Sequence, residues 1–418
     1  MKPDNPNILL IEPSFSCLDL LPAAKRLGCR IFVFSANSAD RYIPNAYRSY
    51  IDELFIVDTN NIEQVLTKAQ ELNEHYLFKA VIPGSEYHVV VAAYVAEQLK
   101  LPGNPVKTVN ALREKHFMRE CLKNTSVRMP AYSIVNSKND LIMAAEQVGF
   151  PAVIKPVAMA GSLGVKLVNN RIELEEAYQE MTVSDIAEME RGVGSVALLE
   201  EYIRGKEYSV EGCISDAGVT VISITEKFLG PEPHFVEMGH IVEANLKNKD
   251  RIRIIDFVQR VLTELKLCIG VFHLELIMDS EGPVLIEIAG RLPGDHICDL
   301  IKLAKGIDLA EVMVQSHLNT PINLTLKING YAGICYFSIN EASYESIEGL
   351  DEVRTLPGMY EQKQIVPPNQ RIDHPETFHG RIAYVIFNVS TYDVVRESMS
   401  LAQRAVKIRS GFLPSGHL

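Results

Sequence analysis

The chain has 418 residues, more than a single hydrophobic core usually sustains, so roughly two to four domains are expected. Hydrophobic residues at 47% and charged residues at 22% fit a soluble globular protein, and no apolar run approaches the roughly 20 residues that span a bilayer. A net charge of −12 argues against a nucleic-acid partner, which needs a basic face, while leaving room for a local basic pocket. Cysteines at 17, 29, 121, 213, 268, 298 and 335 are odd in number and form no C-x-x-C, the usage of a reduced cytosolic protein. The start, "MKPDNPNILLIEP", has no basic segment followed by a long apolar one, so no secretory signal is expected.

In chain order, "NILLIEP" reads as a buried strand, followed by a helix around Asp19–Leu27 closed by Gly28. "RIFVFSA", "ELFIVD" and "AVIPGS" read as strands, with "IEQVLTKAQELNEHY" as a helix between the last two. This β-α-β rhythm predicts a parallel sheet with helices on both faces. The first turn, "EPSFSCLD", lacks G-x-G-x-x-G, which argues against a dinucleotide site there. "LKLPGNPV" marks a first boundary. "NALREKHFMRECL" reads as one helix with Asn110 as N-cap, and "SKNDLIMAAEQVG" as a capped helix ending at Gly149. "PAVIKPV" and "GVKLVNN" read as strands joined by "AMAGSL", and "RIELEEAYQEM" as a helix with a capping box from Asn170 and Glu173. "SVALLEEYI" and "KEYSVEGCIS" read as strands around a turn at Arg204–Gly205, and "HFVEMGHIVEA" as a mobile loop rich in Glu and His. "IDFVQRVLTELKL" is a long amphipathic helix, and short strands such as "GYAGICYFSI" and "RIAYVIFNV" follow a boundary near 320.

The hairpin "HLELIMDSEGPVLIEIAGR" carries Glu275 and Glu287 in its two apolar arms. A three-residue loop, Ser280-Glu281-Gly282, with Gly282 at positive φ, pairs the two carboxylates on one face; a one-residue slip would separate them. Facing carboxylates repel, and Mg²⁺ is one way to hold them. Arg291 continues the Glu287 face and suits a phosphate or a substrate carboxylate. The plain alternative is a solvent-facing strand with two surface glutamates.

Upstream, Lys155 interrupts a β-branched strand, where a lysine needs a partner. "AGSLGV", Ala160 to Val165, is a small-residue loop that can present backbone N–H groups to phosphates, although ordinary turns look alike. "LLEEYIRGKEYSVEG" sets Glu200, Glu201, Glu207 and Glu211 near strand ends, as a cleft wall or an acidic surface hairpin. Lys115 and Arg119 lie i,i+4 on one helix face, mildly repulsive unless an anion sits between them; a solvated face is the commoner outcome.

The order of these elements resembles the ATP-grasp superfamily of carboxylate–amine ligases, over about the whole chain. That order is a basic helix, a V-I-K-P strand, a glycine-rich loop, an E-E-Y-I hinge with a later Glu, and a paired-Glu hairpin ending in Arg. "HFVEMGH" and "GVFHLEL…LIEIAGRLPGD" are most similar to the L-amino-acid (dipeptide) ligase branch. The resemblance implies an α/β ATP-grasp fold. It has an N-terminal Rossmann-like parallel-sheet domain at 1–105, an ATP-grasp core at 106–320 with a lid at about 125–200, and a small C-terminal α+β domain at 321–418. It implies ATP and Mg²⁺ as cofactors, with one or two ions and Mn²⁺ as a substitute. Lys115 and Lys155 would contact the phosphates, and Gly161, Ser162, Leu163 and Gly164 would close over them. Glu200, Glu201, Tyr202 and Ile203 would form the adenine hinge, with Glu207 on the ribose. Glu275 and Glu287 would hold metal, and Arg291, His273 and Lys155 would serve the chemistry, His273 as a candidate proton acceptor. Glu86, Glu237, His240, Gly294 and Asp295 would line the substrate pocket. Ala289 stands where many members carry an Asn metal ligand, which leaves the metal count open. The implied reaction joins an amino-acid or similar carboxylate to an amine through an acyl phosphate, releasing ADP and phosphate. A purine-pathway or biotin-carboxylase-type enzyme and a non-catalytic nucleotide-binding protein are the alternatives. The expected partners are small molecules, with no nucleic acid and no membrane, in a cytoplasmic protein of an architecture in which homodimers are common.

Overall fold

The computed structural model describes residues 5–410; the first residues read for a secretory signal and the end of the expected C-terminal segment lie outside the described residues. Strands β1 (Asn7–Ile11), β2 (Arg30–Ser35), β3 (Glu53–Ile56) and β4 (Ala80–Pro83) form a parallel sheet in the order β3-β2-β1-β4. Strand β1, inside the sheet, is apolar from Ile8 to Ile11 because both faces are covered. Ile8 and Leu10 pack with Leu20, Leu21 and Ala23 on one side, and Leu9 and Ile11 with Val65, Ala69 and Leu72 on the other. The loops leaving β1 and β4 carry Ser14–Cys17 and Ser85–Tyr87 to the carboxyl edge of the sheet, where α/β folds place their ligands.

A second sheet is antiparallel. It uses β5 (Tyr132–Val135), β6 (Ala152–Pro156) and β7 (Lys166–Val168); after a small hairpin, β8 (Ala187–Glu188) with β9 (Arg191–Gly192), comes β10 (Ala197–Glu201). The order is β5-β10-β6-β7. Ile154 faces the core under helices Leu141–Val148 and Arg171–Val183, so Lys155, the next residue, faces away from it.

The third sheet has eight strands. They come from β11 (Lys206–Ser215), β12 (Gly218–Leu229), β13 (Glu237–Val242), β14 (Gly270–Met278), β15 (Pro283–Ala289), β16 (Tyr331–Ser338), then, past β17 (Tyr344–Glu348), β18 (Met359–Gln364) and β19 (Arg381–Val389). The order is β15-β14-β11-β12-β13-β16-β19-β18, while β17 pairs with β20 (Lys407–Ser410). Strands after residue 330 therefore extend the same sheet through the β13–β16 pairing. Among the described residues, no helix is long and apolar enough to cross a membrane.

Three local expectations change. "HFVEMGHIVEA" is not a mobile loop: from Glu237 it is β13, hydrogen-bonded on both sides. "NALREKHFMRECL" is two helices, Val106–Arg113 and Lys115–Leu122, and Asn110 lies inside the first. Glu114 between them is extended (φ −115°, ψ 111°), which frees the Lys115 amide to donate to the Val157 carbonyl at 3.1 Å. The strands flanking Arg204–Gly205 do not form a hairpin, since β10 and β11 belong to different sheets.

The β14–β15 hairpin pairs Glu275 with Glu287, but by another route. Met278 pairs with Pro283, so the loop is Asp279–Gly282, and a bulge between Glu275 and Leu276 absorbs Ile286 as the extra residue. The bulge leaves Ile286 and Glu287 both on the cavity side, while Leu285 and Ile288 pack in the core. Asp279 shapes the loop: its Oδ1 accepts from the Glu281 and Gly282 amides, each at 2.8 Å, and its carboxylate takes two Arg128 donors at 3.0 and 2.8 Å.

The β8–β9 hairpin reaches the first sheet. The Met189 amide donates to Asp40 at 2.5 Å, Asn60 bridges the Met189 carbonyl (3.0 Å) and Arg191 (2.9 Å), and Tyr87 donates to Glu188.

Asp279→Ala should cost about 1–2 kcal/mol in urea unfolding, because it removes a bidentate pair and two backbone acceptors at a half-exposed site. The Arg128 hydrogen bond holds the Asp279 carboxyl down at about 2. Its contribution is therefore complete above the ordinary carboxyl range and is lost as pH falls toward about 2.

Candidate active site

A cavity of 1190 Å³ lies where the three sheets meet. It is lined by all the site residues expected from the sequence except Gly164 and His240. Gly164 supports the loop from behind: with φ +72°, a Cβ there would meet Pro156 at 2.8 Å. Gly161 and Ser162 also have positive φ, 62° and 57°, so the loop Ala160–Val165 turns its backbone sharply at the cavity rim. His240 is fully buried behind the wall, with Nε2 3.2 Å from Asp295 Oδ2, and burial pushes its pKa down.

The cations expected at the phosphates are engaged within the protein. Lys115 Nζ lies 3.0 Å from Glu287, and Lys155 pairs with Glu200. Arg119 donates Nε to Glu200 at 2.6 Å and Nη2 to the Ile286 carbonyl at 2.8 Å. The Lys115–Arg119 face is thus buried against anions, not solvated. Burial pushes Lys155 down while Glu200 pulls it back up. Burial opposes charge on Glu200, but Arg119 and Lys155 keep its carboxyl below the ordinary range. The Glu200 carboxylate is therefore committed to cations, leaving its backbone, with Tyr202 and Ile203, for any base-recognising role.

Lys227 was not anticipated from the sequence. Its side chain is 1% exposed, and its Nζ sits 3.1 Å from Glu207 and 2.7 Å from Glu275 and contacts Glu237. A lysine inside "SITEKFL" carries the signal that singled out Lys155, a cation in a β-branched strand. Burial opposes charge on Glu275, yet Lys227 and His273 hold its carboxyl well below the ordinary range. Glu287 is held down by Lys115 against burial and against Glu275.

His273 bridges two acids, with Nδ1 2.9 Å from Glu211 and Nε2 3.0 Å from Glu275. Burial lowers its pKa, but hydrogen bonds to Glu211 and Glu275 raise it to about 9. With Nδ1 held by Glu211 and Nε2 by Glu275, this geometry positions Glu275 and leaves neither nitrogen free to accept a proton. Glu211, fully buried, is fixed by Ser209 at 2.6 Å and Thr225 at 2.7 Å.

At the other end, Arg291 Nε donates to Glu86 at 2.7 Å. Burial opposes the Arg291 charge, and Glu86 more than restores it. Arg381, from β19, reaches the same end: Nη1 donates to Asp295 at 2.8 Å and the guanidinium lies 4.2 Å from the Tyr336 ring centroid. Sequence reasoning missed Arg381 because its partner is 86 positions away and no local pattern marks it.

The donor set suits a hard divalent cation: Glu275 and Glu287 are paired, ionised oxygen donors, and each already pairs with an ammonium. Ile277, Ile286, Tyr202 and Phe235 give the cavity an apolar stretch of wall.

An ATP-grasp domain matches residues 148–299, and an ATP-grasp N-terminal domain matches residues 21–103. The chain belongs to the ATP-grasp superfamily. Within it, the chain is most like the amino-acid ligase branch, to which several of its curated relatives belong. Alanine–anticapsin ligase of Bacillus subtilis (strain 168) is 25% identical over 60% of this chain and 56% of its own length, so the chain spans little more than half of that relative. The L-arginine-specific L-amino acid ligase of Bacillus subtilis is 20% identical over 86% of this chain and 87% of its own. The crystal structure of L-amino acid ligase from Bacillus licheniformis superposes with a TM-score of 0.80 at 22% identity, covering 98% of this chain and 99% of that one, which shows the ATP-grasp fold. ATP-grasp enzymes use ATP with Mg²⁺, as a related structure in complex with MgADP illustrates.

Lys227→Met in this ATP-grasp chain should destabilise it by about 3–5 kcal/mol in chemical denaturation, since three carboxylates lose their common cation. A change under about 1 kcal/mol would mean the carboxylates need no such partner.

Proposed function

We propose that the chain joins an amino-acid carboxylate to an amine donor at this cavity, using ATP and releasing ADP and phosphate. ATP-dependent amide formation is the chemistry of its branch. The observation that carries the residue assignment is the convergence on one cavity of Lys155 from β6, Lys115 from helix Lys115–Leu122, Glu275 from β14, Glu287 from β15 and Arg291 just after it. In this reading Lys115 and Lys155 bind phosphate oxygens, and the Ala160–Val165 loop covers them with backbone N–H groups. The backbone of Glu200, with Glu201, Tyr202 and Ile203, meets the adenine, and Glu207 takes the ribose hydroxyls. Glu275 and Glu287 would hold one or two Mg²⁺, which when bound neutralises phosphate charge during transfer.

The substrate carboxylate attacks the γ-phosphorus, the bond to the β,γ-bridging oxygen breaks, and ADP departs. Arg291, oriented by Glu86, lies where it can neutralise the carboxylate and the acyl phosphate. The amine nitrogen then attacks the acyl carbon, the C–O bond to phosphate breaks, and the nitrogen loses a proton. Asp295 and Glu237 offer carboxylates on the substrate side as proton acceptors, and His273 stays with Glu275. Closure of the loop keeps water from the mixed anhydride. Division of the chain at 105 and 320, a lid at about 125–200, a cytoplasmic location and a homodimer belong to the same proposal.

Purified protein mixed with MgATP and pairs of amino acids should release phosphate and ADP in equal amounts, with the amide identified by mass spectrometry. Appearance of AMP and pyrophosphate instead would exclude the acyl-phosphate route. Glu287→Ala should lower amino-acid-dependent phosphate release by roughly 100-fold or more, and near-normal turnover would remove it from the metal site.

A further inference from the structure

The reaction outlined above asks the Ala160–Val165 loop to cover the phosphates, and what the loop rests on comes from the far end of the chain. Its own anchors lie in the second sheet, where Met159 and Leu163 are buried in the core. Between them Gly161 and Ser162 turn at positive φ. A Cβ on Gly161 would meet Phe378 Cε1 at 3.0 Å and Cδ1 at 3.2 Å, so the backbone lies against the ring with no room for a methyl group. Phe378 is half-buried, packs against the core of the second sheet and lines the cavity. It opens a short turn, Phe378–Gly380, that is tightly held. The Thr377 hydroxyl accepts from the His379 amide at 3.2 Å and donates to the His374 carbonyl at 2.7 Å. The Gly380 amide donates to the Thr377 carbonyl, and the Ile339 amide to the Gly380 carbonyl, each at 3.0 Å. A Cβ on Gly380 would collide with the Pro375 and Ile339 carbonyl oxygens, so the turn is pressed against backbone. The next residue, Arg381, donates to Asp295 at 2.8 Å in the substrate half. One turn therefore touches the glycine-rich loop at one end and the substrate half at the other.

Resting on the ligase reading, we propose that Phe378 is a positioning residue for phosphoryl transfer. Its ring seats the Ala160–Val165 loop, and the turn that carries it fixes that seat relative to the substrate half. In-line transfer needs the attacking carboxylate oxygen and the γ-phosphorus close and aligned, and a misplacement of about 1 Å costs roughly 100-fold in rate. A loop without its seat also admits water to the acyl phosphate. Hydrolysis then returns the carboxylate and releases phosphate, so ADP forms without amide. Phe378 acts through the loop and takes no part in bond making.

The test assays Phe378→Ala with MgATP and an amino-acid pair that the wild-type chain joins, measuring ADP and amide together. Its kcat should fall roughly 10- to 100-fold while the KM for each amino acid stays within about twofold. Amide formed per ADP should fall below the wild-type value. Phe378→Leu refills most of the space and should recover most of kcat; it carries the test if the Ala variant melts early. Gly161→Ala completes a double-mutant cycle. Its backbone strain is the same in every background, but its methyl strikes the ring only where Phe378 is present. The cost of Gly161→Ala should therefore shrink by about fivefold or more beside Phe378→Ala. Additive losses in folded variants would overturn the inference, as would unchanged kcat and amide yield in Phe378→Ala. Absence of ADP release with every amino-acid pair would overturn the ligase reading, and the seat is then judged alone. With Mg²⁺ and a non-hydrolysable ATP analogue, amide hydrogen exchange across residues 160–165 should be about 10-fold faster in Phe378→Ala than in the wild-type chain. Equal exchange would show that the ring does not hold the loop.

Discussion

The ammonium of Lys227 is the constraint on which the cavity wall depends. Glu207, Glu237 and Glu275 come from three different strands, β11, β13 and β14, and converge on it. Burial opposes charge on all three: Lys227, with His273, holds the Glu275 carboxyl well below the ordinary range, while burial keeps Glu207 and Glu237 above it even beside the ammonium. The three acids have different neighbours. Glu207 lies toward the nucleotide hinge, Glu275 faces Glu287, and Glu237 lies by Asp295 and Arg381. One buried cation thus fixes the spacing between the parts of the cavity assigned to nucleotide, metal and substrate.

Helix Lys115–Leu122 does the equivalent work between sheets. Arg119 reaches Glu200 on β10 and the Ile286 carbonyl on β15, so one guanidinium ties the second sheet to the third. Lys115, one turn earlier, pairs with Glu287 beside it. The break at Glu114 makes this possible: a continuous helix would have turned the Lys115 amide into its own hydrogen-bond ladder and away from Val157.

Much of this was legible in the sequence where the signal is local. Apolar runs alternating with helical periodicity gave the parallel sheet, because strands covered on both faces admit few polar residues. Lys155 and the Glu275–Glu287 pair stood out as charges in apolar strands. The pairing emerged although the loop length was misjudged: a four-residue loop and a bulge at Ile286 restore the register a three-residue loop would have set. Long-range ion pairs left no such mark. Arg381 opens a strand that looks ordinary, and its partner lies far upstream. The segment from Glu237 looked like a loop because His and Glu lower its apparent strand propensity, while pairing with β12 and β16 overrides that preference.

The β8–β9 hairpin adds a consequence for how the cavity closes. Its two turn residues, Met189 and Glu190, have positive φ, 52° and 63°, and they carry it to Asp40, Arg41 and Asn60 beyond the first sheet. Tyr87 and Glu188, joined by a hydrogen bond, both line the cavity, so the same contact that docks the hairpin also forms its wall. An acyl phosphate survives only where water is excluded. In this fold the second sheet is brought over the site both by ion pairs at Glu200 and by a polar clasp on the opposite rim. Enclosure of the cavity and docking of the N-terminal sheet are therefore one structural event.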